Sequence, residues 1–184
     1  MTHFEYIAVI VSIILGLGIV RLLSSLDQVF SKERYWPHTV WVVTIFWMHA
    51  QNWWAFWDMR TISFNVVLYS LWIGFVSLMF LCTVALTNKK DDVITWKEHF
   101  YSQRIWFFSI LSLTIVAAIF VSFIFFATSF LHPYRALQLS LLFMAIGALL
   151  TDRERVHEVL SVLFLTVFFV GFSAFRFLPD LFAG

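Results

Sequence analysis

The segment His49–Arg60, HAQNWWAFWDMR, decides how the chain is read. Before it runs an apolar stretch, and within it the sequence turns polar and aromatic at once. His49, Gln51 and Asn52 lie inside a segment long enough to cross a bilayer, with Trp53, Trp54 and Trp57 around them. Six of the nine tryptophans fall between Trp36 and Trp57. Polar groups at that depth are expensive unless they pair or face water. At 1.5 Å per residue, His49 stands about 16 Å beyond His38, near the midplane. The helical repeat places His49, Asn52, Trp53, Phe56 and Arg60 on one stripe, with Gln51, Trp54 and Asp58 on the next. The functional reading is an aromatic-walled, outward-open cavity with His49 at its floor. It makes His49, Gln51, Asn52, Trp53, Trp54, Trp57 and Arg60 candidate ligand-binding residues. The competing reading is structural: interhelical hydrogen bonds in place of a ligand, and tryptophans as interfacial anchors.

Around this segment the composition is that of a membrane protein. The chain has 184 residues, 61% hydrophobic and 12% charged, against about 25% charged in a soluble domain. A net charge of +1 without a basic block gives no case for a nucleic-acid partner. Cys82, the single cysteine, excludes an intrachain disulfide and argues against a thiolate metal site. MTHFEY lacks the basic start of a secretory signal, so the first helix is expected to remain in the mature protein.

The fold class expected is all-α, a polytopic transmembrane helix bundle forming one domain. Six spans are expected, at about 5–26, 38–57, 65–86, 105–131, 134–150 and 156–178, each near the roughly 20 residues that cross a bilayer. Pro133 disfavours helix at His132 and suits the start of the next helix. It thereby separates spans four and five; their fusion, giving five spans, is the alternative. Lys32, Arg34, Lys89, Lys90, Lys97, Arg104, Arg153 and Arg155 follow spans one, three and five. Only Arg60, Arg135 and Arg176 lie opposite, so both termini are expected outside. Between Thr87 and Gln103, Asp91 or Asp92 can cap a helix carrying Val93, Trp96, Phe100 and Tyr101 on one face. That predicts an amphipathic surface helix over 91–103, or an extension of span four.

Two ion pairs are expected to tie the helices. Glu5 and Arg60 lie at span ends on the outer rim, although solvated rim charges are worth little. Arg21, inside the inner end of span one, must snorkel or find a partner, and Glu158 near the start of span six is the candidate. Ser12 and Gly16, with Gly18 close by, give the small-residue spacing that lets helices approach. HExxH, GxSxG and glycine-rich phosphate loops are absent. All four lysines lie in connections, which argues against a retinal Schiff base. The expectation is a protein that is not an enzyme, with no metal and no cofactor.

Leu15-Gly-Leu-Gly18 followed by Arg21-Leu-Leu, then Tyr35-Trp-Pro-His38, then Gln51-Asn-Trp-Trp54 ahead of Asp58-Met-Arg60, resembles an uncharacterised family of small multi-span bacterial membrane proteins. The likeness covers the first third of the chain. It implies a bacterial inner-membrane location and points to Gln51, Trp53 and Trp54. The function expected is transport or a channel, with the outward-facing cavity formed mainly by span two. The alternative is a non-transporting sensor or scaffold subunit. The partners expected are the lipid bilayer, a small-molecule or ion substrate and further copies in a homo-oligomer.

Overall fold

A computed structural model describes residues 3–26, 34–62, 64–87, 95–126 and 132–177, with side chains described for all but 3, 126 and 175–177. Asp91, Asp92, Lys32, Lys89, Lys90 and Asp180, and the side chain of Arg176, lie outside this description. The described residues form six long helices and one 3₁₀ turn: α1 His3–Ser24, α2 Trp36–Asp58 with the turn Met59–Thr61, α3 Val66–Thr87, α4 Trp96–Phe126, α5 Pro133–Leu150 and α6 Glu154–Phe177.

Local chemistry sets most of the boundaries. Pro37 opens α2, and Asn65 Oδ1 caps α3 by accepting from Leu68 N at 2.9 Å. Thr95 and Glu98 form a reciprocal capping box at α4, with bonds of 3.2 and 3.0 Å. Helix α4 therefore starts at Trp96 as an extension of the fourth span. Its Trp96, His99 and Phe100 are buried, where a surface helix would leave that face at the membrane boundary. At α5, His132 caps the helix, its Nδ1 accepting from Tyr134 N at 3.2 Å, and Pro133 occupies the first turn. The break between the fourth and fifth segments is thus built by the pair expected to make it.

Five of the six helices, all but α2, are long and apolar enough to cross a membrane. Helix α2 has 23 residues but carries His38, Thr39, Thr44, His49, Gln51 and Asn52. Its position tolerates them. The helices form a ring in the order α1, α3, α4, α5, α6, α2, and α2 also packs inward on α3 and α4. Lipid-exposed hydrophobic side chains line the outer helices instead: Val9, Ile13, Leu17 and Val20 on α1, Leu113 and Phe120 on α4, Val159 and Val162 on α6. The core is aromatic. Trp41 packs against Phe107, Phe108 and Phe164, and Trp72 against Phe56, Phe75 and Phe125.

Candidate functional site

The bundle has two chemically different halves. At one end, here the basic end, Arg34, Lys97, Arg104, Arg153 and Arg155 flank the helix termini. At the other, the terminal end, α1 begins and α6 finishes.

The basic half is closed. The Leu86 carbonyl near the end of α3 accepts from His38 Nε2 at 2.9 Å and from His99 Nε2 at 3.2 Å. The Thr151 carbonyl just past α5 accepts from His157 Nε2 at 2.9 Å and from Arg104 Nη1. Aromatic rings fill the remaining space: His38 stacks on Trp96 at 4.8 Å, and Phe100 meets both His38 and His157 edge-on. Among the described residues no group of side chains could hold a metal ion. Tyr35 and Tyr101 join hydroxyls at 3.3 Å. Burial, reinforced by Tyr101, pushes the Tyr35 phenol above its ordinary value.

The terminal half contains a cavity of about 110 Å³ between α2, α3, α4, α5 and α6. Its polar lining is Gln51 and Asn52 from α2, Thr114 from α4, and Tyr134 and Gln138 from α5; Phe75, Phe164, Phe168 and Phe172 supply apolar walls. Asn52 Nδ2 donates to the Met48 carbonyl and contacts Met79 Sδ. Gln138 is held by Arg135, whose Nη1 donates to Gln138 Oε1 at 2.7 Å and to Ser122 Oγ at 2.9 Å. Arg135 is 4% exposed, and its guanidinium lies 3.9 Å from the Phe123 ring centroid. Gln51 differs from its neighbours: among the described residues its amide has no hydrogen-bond partner. It borders both this cavity and a groove between α2 and α6.

His49 is not the floor of the cavity. It is fully buried on the opposite side of α2, its Nδ1 donating to the Ile45 carbonyl at 2.8 Å and its Nε2 3.5 Å from the Thr83 hydroxyl. Gly18 of α1 presses on its ring. The interior face of α2 runs through Trp41, Ile45, Met48, His49, Phe56 and Met59, so the stripe expected from His49 to Arg60 is split. Trp53, Trp54 and Trp57 are 44, 59 and 60% exposed and face outward, as interfacial anchors do; of the three, only Trp54 borders the groove.

Neither expected ion pair forms. Arg60 donates to the Trp57 carbonyl at 3.1 Å and lies over the Trp57 ring, away from Glu5. Arg21 Nε donates to Thr87 Oγ1 at 2.8 Å, because α1 packs on α3 and α2; Glu158 instead borders a shallow groove with Trp36. Among the described residues an ion pair joins α4 to α6 instead, Lys97–Glu154 at 2.7 Å and exposed. Of the small residues, Gly18 makes the close approach, whereas a side chain at Gly16 would meet nothing within 4 Å. Sequence reasoning missed Tyr134 and Gln138, which stand one turn apart on α5 beside Arg135. That spacing was the available signal.

Comparison with known protein families, with curated proteins and with solved structures finds no match.

Proposed function

We propose that this chain is a ligand-binding integral membrane protein whose site is the terminal-half cavity, and that α2 crosses the membrane with the other five helices. The observation that carries this is the Gln51 amide, left without a hydrogen-bond partner at a cavity whose other amides are engaged. A polar group inside a span without a partner is costly, and a ligand or water in the cavity supplies one. The packed basic half argues against an open channel. The reading favoured is therefore a sensor or binding subunit. A carrier caught open on one side is the second reading, favoured by the one-sided cavity. The Lys and Arg asymmetry puts both termini outside, and the resemblance in the first third points to a bacterial inner membrane.

The test is labelling in a Cys82→Ser background. Ala55→Cys, on the cavity wall, should react with a membrane-impermeant thiol reagent added outside. Thr83→Cys, buried beside His49, should not react from either side. An unreactive Ala55→Cys in a folded protein would defeat the cavity reading. Flux of a bound ligand across reconstituted vesicles would replace the sensor with the carrier.

A further inference from the structure

Glu158 stands one turn into α6, partly buried, at the basic end of the bundle. Among the described residues its carboxylate makes no hydrogen bond and no ion pair. Neighbouring basic groups are committed elsewhere: Lys97 to Glu154 at 2.7 Å, Arg21 to Thr87 at 2.8 Å and Arg104 to the Thr151 carbonyl. Arg155, three residues earlier on α6, stays exposed. Glu158 borders a groove with Trp36 of α2 and with Val159, Val162 and Thr166 of α6. Thr166 also lines a second groove, where Val43 and Trp47 of α2 face Phe169 and Val170 of α6. The two form one furrow along the α2–α6 seam, with the carboxylate at its basic end. It runs as far as the contact of the Trp47 and Phe169 rings, 5.2 Å between centroids.

We infer that this furrow seats a phospholipid with a primary-ammonium headgroup, of the phosphatidylethanolamine class, its ammonium on Glu158 and one acyl chain along the seam. Three features select it. The first is charge: a carboxylate at the edge of hydrocarbon is costly without a cation, and the headgroup layer brings an ammonium to that depth. The second is length. From Glu158 to Phe169 the helix rises about 16 Å, half of the roughly 30 Å hydrocarbon core, so the furrow fits the chain of a single leaflet. The third is Trp36, the first residue of α2, which is exposed at the same end. Its indole suits the headgroup level and offers a face to a cation. A primary ammonium donates its N–H groups to carboxylate oxygens at charge-assisted strength. A trimethylammonium has no N–H and is held by aromatic cages, whereas Trp36 is the one ring beside Glu158 in this groove. The lipid site lies apart from the terminal-half cavity and does not depend on that cavity's ligand.

Protein is reconstituted in nanodiscs of equal palmitoyloleoyl phosphatidylethanolamine and phosphatidylcholine and released into mild detergent. Native mass spectrometry then identifies the lipid it retains. The ethanolamine lipid should be retained in about fivefold preference over the choline lipid, the upper end for an ion pair at a protein boundary. The N,N-dimethyl headgroup, which keeps a single N–H, should fall between them. Glu158→Gln, which keeps the side-chain shape, should bring the ratio to one. Asp152→Asn, an exposed acid at the same end, should leave it unchanged. Val162→Phe, which narrows the furrow, should lower retention of both lipids; should that variant fail to fold, Glu158→Gln carries the test. Equal retention of the two headgroups, or a preference that survives Glu158→Gln, overturns the proposal. Phosphatidylglycerol retained ahead of phosphatidylethanolamine from a mixture of the two would assign the lipid to the basic residues and overturn it as well. So would a Val162→Cys disulfide between two copies, in the Cys82→Ser background, that the ethanolamine lipid does not prevent, since the furrow is then a subunit interface.

Discussion

Replacing Gly18 by Ala tests the packing at the centre of the bundle. A methyl group at that position would lie 2.3 Å from His49 Nε2 and 2.7 Å from its Cδ2, inside any permitted contact. The imidazole cannot swing away cheaply. It is fully buried, and its Nδ1 is committed to the Ile45 carbonyl at 2.8 Å. Either α1 moves off α2, at the roughly 1–3 kcal/mol of an overpacked core, or the ring turns and loses a hydrogen bond worth about 1 kcal/mol. Sharing the strain between the two routes keeps the expected loss at about 1–3 kcal/mol. Gly16→Ala, two residues away and facing open space, should change stability by no more than about 0.5 kcal/mol. SDS titration of protein in mild micelles, followed by far-ultraviolet circular dichroism, measures both. In a His49→Ala background the obstacle is gone, so Gly18→Ala should cost almost nothing, an interaction energy of about 1–3 kcal/mol in the cycle. Equal losses for Gly18→Ala and Gly16→Ala, or an additive cycle, would refute the contact between α1 and α2.

Arg135→Ala should destabilise by about 1.5–3 kcal/mol in the same titration, because Gln138 Oε1 and Ser122 Oγ both lose the charged donor Nη1 that joins them. Thr95→Ala should cost about 1 kcal/mol by opening the capping box of α4, seen as faster hydrogen exchange in its first turn. Lys97→Ala, by contrast, should leave the unfolding midpoint unchanged, since its bond to Glu154 is exposed and screened. A clear drop would show that this pair orders the α3–α4 and α5–α6 connections.

Spans are legible because length and apolarity are local properties. Pro133 announced the break before α5, and its effect depends only on its own ring. Thr95-Trp-Lys-Glu98 is equally local, a capping-box pattern legible in four residues. The site was harder for a geometric reason. His49 and Gln51 are two residues apart and similar in depth, but two residues turn the helix through about 200°. One therefore meets Gly18 and Thr83, and the other meets the cavity. Depth can be counted along the sequence, whereas the identity of the facing helix is set by the ring order. The same holds for Arg21. Its depth demanded a partner, and helix order supplied Thr87 in place of Glu158.

The two halves of the bundle use their polar side chains in opposite ways. The last turn of a helix leaves carbonyls without intrahelical donors, and these carry the negative end of the helix dipole. At the basic end, His38 and His99 satisfy Leu86 near the end of α3, and His157 and Arg104 satisfy Thr151 after α5. These donors come from α2, α4 and α6, so each carbonyl ties neighbouring helices together. Three buried histidines thus act as interhelical caps, and titratable side chains in a membrane need not mark a binding site. In the terminal half, the Gln51 amide is spent on no such bond among the described residues. Gln51 stands on α2, which packs against α1, α3, α4 and α6. An amide kept unspent at the edge of a cavity is within reach of a ligand or water that enters it. For this reason the functional reading is placed on Gln51, and the histidines are assigned to holding the frame shut behind it.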